Sequence, residues 1–150
     1  MELILWRHAE AVDGFPDQSR ALTPKGVHQS ERIAEFLKSR LPPDARILVS
    51  PALRAQQTAR ALTDNFDTEP AINVHATPQA VLNAAGWPTT IRTTLLVGHQ
   101  PWLGEVAALI MTGKADCWRI KKGSVWWFSR RERNGDIQSN LRLVISPDQL

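Results

Sequence analysis

The chain has 150 residues, 43% of them apolar and 22% charged, which suits one domain (1–150) with a buried core and excludes a disordered composition. The net charge of +3 is not gathered into long runs, so nucleic acid is not the expected partner; the lone Cys117 excludes an internal disulfide and a thiolate zinc site. No leader and no stretch near the ~20 apolar residues of a membrane helix is evident, so a cytoplasmic monomer away from any membrane is expected.

Leu3-Ile4-Leu5-Trp6 reads as a buried strand, and Arg7-His8 follows at once. Residues 11–21 carry Asp13, Gly14, Pro16, Asp17 and Ser19 and read as a loop bordering a site. Thr23-Pro24 is a cap-and-proline helix start. Val27, Ser30, Ala34, Leu37 and Leu41 form the expected inward stripe, His28 sits on the helix surface, and Pro42-Pro43 ends the element. Arg46–Val49 is a second strand leading to Ser50-Pro51, and the following helix has Ala52, Ala55, Ala59, Leu62 and Phe66 inward. Arg54 falls off that stripe in the helix's first turn, where a cation is unfavourable unless an anion joins it.

Ala71–His75 alternates weakly and is expected as a short strand. Thr77-Pro78 repeats the helix-start signature, and Gly86-Trp87-Pro88 closes that helix. Thr94–Gly98 is a third strong strand, ended by His99. Gln100-Pro101 opens a helix with Leu103, Val106, Ala107, Ile110 and Met111 inward and Gly113 as its C-cap. The last part is β-favouring: Ser124–Ser129 and Ile137–Ile145, joined across the hairpin signal Asn134-Gly135. Trp6, Trp126 and Trp127 are expected in the core, whereas Trp87 and Trp102 follow loops and are candidates for a binding rim.

Three apolar runs thus deliver arginine or histidine at or just past their C-terminal ends. In a parallel sheet these groups converge on the edge where ligands bind. Arg7, His8, Arg54 and His99 then form a cage suited to phosphate, because two guanidiniums are forked donors for its oxygens. Adjacent guanidiniums repel a metal ion, and no carboxylate cluster accompanies them, so neither metal nor other cofactor is expected. Positive neighbours keep an imidazole neutral and thus nucleophilic.

These residues resemble the histidine phosphatase superfamily, the phosphoglycerate-mutase-like fold. The matching stretches are Arg7-His8-Ala9, Leu22-Thr23-Pro24-Lys25-Gly26, Ser50-Pro51-Ala52-Leu53-Arg54-Ala55-Gln56-Gln57-Thr58 and Gly98-His99. The resemblance implies a three-layer αβα sandwich, mostly parallel, with the antiparallel C-terminal hairpin at one edge. It implies His8 as nucleophile, with Arg7, Arg54 and His99 binding phosphate. Ala9 stands where the family has glycine, and the family's usual acidic proton donor is not evident; His75 stands about where it is expected. The short chain without an inserted cap is similar to small phosphohistidine phosphatases of the SixA type, which act on histidine phosphotransfer domains. No connection is long enough for a closed lid, so an open, shallow site for a phosphorylated protein surface is expected. The alternatives are a phosphatase for small phosphomonoesters or sugar phosphates and, in another class, a phosphate-binding module without turnover.

Overall fold

The first strand is central because both its faces are apolar. In the computed structural model, which describes residues 1–150, β1 (Glu2–Arg7) lies between a parallel and an antiparallel neighbour. Leu3 and Leu5 enter one core cluster, while Ile4 and Trp6 enter another on the opposite face. Side chains alternate across a strand, so a continuous apolar run is what a doubly covered strand requires.

The remaining elements are α1 (Pro24–Lys38), β2 (Arg46–Val49), α2 (Leu53–Arg60), β3 (Asp67–Thr68), α3 (Pro78–Ala85), β4 (Thr94–Gly98), α4 (Trp102–Thr112), β5 (Val125–Arg133) and β6 (Asp136–Ile145). The strands form one sheet in the order β3-β2-β4-β1-β5-β6. Pairings within β3-β2-β4-β1 are parallel, and β5 and β6 are antiparallel. Residues of α1 and α2 pack into the cluster of Ile4 and Trp6, and residues of α3 and α4 into that of Leu3 and Leu5. This is the expected αβα sandwich with an antiparallel edge. No helix is long and apolar enough to cross a membrane.

The local start and stop signals hold. Thr23 and Thr77 cap their helices by accepting from Gly26 N and Ala80 N, with proline at the first helical turn in both. Gly86 and Gly113 end α3 and α4 in the left-handed conformation. Asn134-Gly135 makes the hairpin turn with positive φ at both positions.

Other expectations need correction. The inward face of α1 is Gly26, Ser30, Ile33, Ala34 and Leu37, with Val27 outward. Gly26 faces inward because the helix start presses on the chain at Glu10: a Cβ there would lie 2.0 Å from the Glu10 carbonyl oxygen. Met111, expected inward, is exposed at the end of α4. Ala71–His75 is not a strand; Pro70–Ile72 is a turn of 3-10 helix, and Asp67–Thr68 takes the edge position beside β2. Only two residues pair there, too few to leave a hydrophobic alternation in the sequence.

Candidate active site

The register of the central strands assembles the site. Arg7 pairs with Gly98, and Val49 with Val97, so the residues that follow β1, β2 and β4 emerge side by side. His8 N donates to the Gly98 carbonyl at 3.0 Å, and Ser50 N to the Val97 carbonyl at 3.0 Å. The first turn of α2 then returns Arg54 to His8. Arg7, His8, Arg54 and His99, expected together from three separated segments, are therefore neighbours. The site is recessed rather than shallow: His8, Arg54 and His99 are 7%, 3% and 1% exposed.

His8 is held in one tautomer. Its Nδ1–H donates to the Ala9 carbonyl at 2.8 Å, because a carbonyl can only accept. Nε2 is left with its lone pair, which accepts from Arg54 Nε at 3.3 Å. Burial lowers the pKa of His8 to about 4; the hydrogen bond to Ala9 opposes the shift, and Arg54, Arg7 and Arg20 reinforce it. The side chain is therefore neutral at pH 7. Ala9 is fully buried in place of the family's glycine, and its N–H donates to Thr58 Oγ1 at 3.1 Å. Thr58 in turn donates to the Arg54 carbonyl at 2.8 Å, tying the segments of His8 and Arg54 together.

His99 lies beside His8, with ring centroids 5.2 Å apart. Its Nε2 is 2.7 Å from Ser50 Oγ, and its Nδ1 is buried without a hydrogen-bond partner. Burial first, then His8 and Arg54, lowers its pKa to about 3, so it too is neutral. The fixed positive charge of the cage thus comes from the two arginines. Arg7 Nη1 donates to the Ile120 carbonyl at 2.8 Å, while its buried Nε has no partner. An anion with several acceptor oxygens answers this donor set better than a cation does. No three His, Cys, Asp or Glu side chains come together as a metal-binding group.

Asp17 is the site residue that sequence reasoning missed. Its backbone carbonyl and Oδ2 accept from Arg54 Nη1 and Nη2 at 2.8 and 3.1 Å. Arg20 donates to Oδ1 of the same carboxylate at 3.1 Å. Partial desolvation pushes this carboxyl up, but the hydrogen bonds and charges of Arg20 and Arg54 outweigh it and hold the pKa below its ordinary value. Asp17 is therefore ionised and supplies the anion that an arginine at a helix start requires. The available signal was its place in the loop leaving β1. Ser50 was visible only as part of a motif; its partnership with His99 was not.

The three rim candidates behave differently. His75 is exposed and lines a cleft of about 500 Å³ with Asp17 and Gln18 across from it. It makes no hydrogen bond to the four site residues. Trp102 is 1% exposed and buried beneath His99, edge-on at 6.3 Å, with its Nε1 donating to the Asn73 carbonyl at 3.2 Å. It supports the histidine from below and is not a rim residue. Trp87 is half-buried against the core cluster under α3 and α4. Trp102 opens α4 and Trp87 follows the cap of α3, and both rings turn into the core rather than onto a rim.

Known proteins resemble this chain in sequence and in fold. The model of the histidine phosphatase superfamily, branch 1, matches residues 3–78. The chain is 29% identical over 128 residues to phosphohistidine phosphatase SixA of Escherichia coli, covering 76% of each. It is 36% identical over 124 residues to an uncharacterized protein of Picosynechococcus, covering 76% of this chain and 75% of the relative. Among solved structures, the protein histidine phosphatase SixA complexed with tungstate superposes with a TM-score of 0.79 at 23% identity, over 99% of both chains.

Proposed function

This chain is a phosphatase of the histidine phosphatase superfamily, and from that premise we propose that it acts through a covalent phosphohistidine at His8, on phosphohistidine carried by a protein. The observation that carries the covalent step is the locked, neutral His8. Its Nδ1–H is spent on Ala9, and its bare Nε2 sits against Arg54 and beside His99.

The reaction begins when the phosphoryl group draws Arg54 Nε from His8 Nε2 onto an oxygen. Nε2 attacks phosphorus in line; the new N–P bond forms as the substrate's P–N bond breaks, and the departing imidazole takes a proton from water. Arg7, Arg54 and His99 hold the oxygens as charge spreads over them. The hydroxide left by that transfer then attacks the phosphohistidine, breaking its N–P bond, releasing hydrogen phosphate and restoring neutral His8.

The leaving group favours the protein-phosphohistidine reading. Asp17 is ionised and poorly suited to donate a proton, and no other carboxylic acid reaches the four residues. A P–N bond breaks with weaker acid assistance than the P–O bond of an alkyl ester. The named relatives act, by their names, on phosphohistidine. A recessed cage also suits a phosphoryl group carried on a projecting side chain.

The test is hydrolysis by the purified chain of a phosphorylated histidine phosphotransfer domain, compared with a sugar phosphate and a phosphoglycerate. Acid-labile, base-stable phosphate is expected on residue 8, and His8→Ala should lose both label and turnover. A small ester turned over as efficiently as the protein would replace the substrate reading; near-normal turnover by His8→Ala would remove the covalent one.

A further inference from the structure

Arg7 has two neighbourhoods. One is the cage. The other is a cleft of about 630 Å³, also lined by Lys25, Arg119, Lys121, Lys122 and Asp148. Five cations thus face one carboxylate, while the entire chain nets only +3. Lys25, Arg119, Lys121 and Lys122 are exposed, and none of them is in a salt bridge. Such a concentration of unpaired like charge repels itself and has no structural use in the free protein.

The segment carrying three of these cations is anchored to the site. Arg7 Nη1 donates to the Ile120 carbonyl, Gly123 N donates to the His8 carbonyl at 3.1 Å, and Ser124 N to the Lys121 carbonyl at 3.0 Å. On its other side, the Trp118 carbonyl accepts from Gln100 Nε2 at 2.8 Å. That carbonyl packs so closely on α4 that a Cβ at Gly104 would lie 1.7 Å from its oxygen. The backbone that carries these cations is therefore held at a fixed distance from the cage.

We propose that this basic cleft docks an acidic stretch of the protein substrate, flanking its phosphorylated side chain. The inference rests on the protein-substrate reading above. Charge complementarity selects the occupant, and the lining selects among anions. Apart from Pro147 the wall is polar or charged, so a small metabolite finds little apolar surface to grip. No aromatic side chain lines it, so single-stranded nucleic acid finds no ring on which to stack a base. Carboxylates spaced along a protein surface can meet cations contributed by the start of α1, the end of β1 and the segment before β5. Because Arg7 belongs to both neighbourhoods, docking there places the phosphoryl group beside His8.

The experiment uses the full chain and Lys121→Gln/Lys122→Gln, with Lys121→Arg/Lys122→Arg as the charge-preserving control. Substrates are two peptides with a central phosphohistidine, flanked by glutamates in one and glutamines in the other, and p-nitrophenyl phosphate for the basal chemistry. A fluorescent hexaglutamate peptide and a single-stranded RNA of equal charge report binding without turnover. The wild type should prefer the acidic phosphopeptide in kcat/KM by roughly tenfold at low salt, the scale of a few partly exposed ion pairs. The preference should shrink as salt rises, vanish in the double Gln variant and persist in the Arg variant, with p-nitrophenyl phosphate turnover unchanged throughout. Hexaglutamate binding should follow the same pattern. Equal kcat/KM for the two phosphopeptides, or hexaglutamate binding insensitive to the Gln substitutions, overturns the docking surface; RNA binding tighter than hexaglutamate overturns its choice of partner. If neither phosphopeptide is hydrolysed but hexaglutamate binding is lost in the Gln variant, the phosphohistidine reading fails while the acidic docking surface stands.

Discussion

Acidification should destabilise this protein through the two site histidines before it titrates the carboxylates. His8 and His99 have pKa values lowered to about 4 and about 3 from 6.5. Between pH 6.5 and 4 the unfolded chain therefore binds protons at these positions that the native chain does not. Stability contributed by groups of this kind is fully present above about pH 6.5 and is lost as pH falls towards the native values. Near pH 5 each histidine contributes a difference of nearly one proton, or about 1.4 kcal/mol per pH unit. Their combined loss between pH 6 and 5 is roughly 2 kcal/mol, with His8 supplying about half. Urea unfolding at pH 7.5, 6 and 5, in phosphate-free buffer, measures it. His8→Ala should show about half the wild-type pH dependence attributed to the pair, and slightly less still because removing His8 also relieves His99. If wild type and His8→Ala lose stability in parallel over this window, His8 titrates at its ordinary value and the neutral nucleophile has lost its structural basis.

Arg54→Lys should cost about 100-fold or more in kcat/KM, because one ammonium cannot replace donors that reach Asp17 and His8 from three nitrogens; normal kinetics would make the guanidinium geometry irrelevant. Gly98→Ala should lower stability by about 1–3 kcal/mol, since the new Cβ would lie 2.1 Å from the Trp102 ring that supports His99; an unchanged urea midpoint would show that the ring moves aside freely. Chelators should leave turnover unchanged, because the donor set around His8 is cationic and anion-seeking. Loss of activity in EDTA, restored by one added metal, would overturn that reading.

What the chain itself made legible was local. A four-residue apolar run can cover both faces of a strand, and a polar pair must follow where the strand leaves the sheet. Leu3–Trp6 followed by Arg7-His8, and Thr94–Gly98 followed by His99, therefore announced their own positions. Thr-Pro helix starts, the Gly86 and Gly113 ends and the Asn134-Gly135 turn were equally plain, because each depends on backbone geometry within a few residues. Tertiary structure decided the rest. The strand order brings Ser50 to His99 and the loop after β1 to Arg54, and neither pairing leaves a periodic trace. Trp102 sits under His99 because α4 starts directly beneath the strand end, whereas its place after a loop pointed to a rim. Arg119, Lys121 and Lys122 stand together in the chain, but nothing local joins them to Lys25 or to Arg7, so the basic cleft was not legible. It exists because β5 pairs with β1 and returns the preceding segment to the side of Arg7. Sequence specifies contacts whose cause is local; the convergence of distant side chains is set by the order in which the sheet joins its strands.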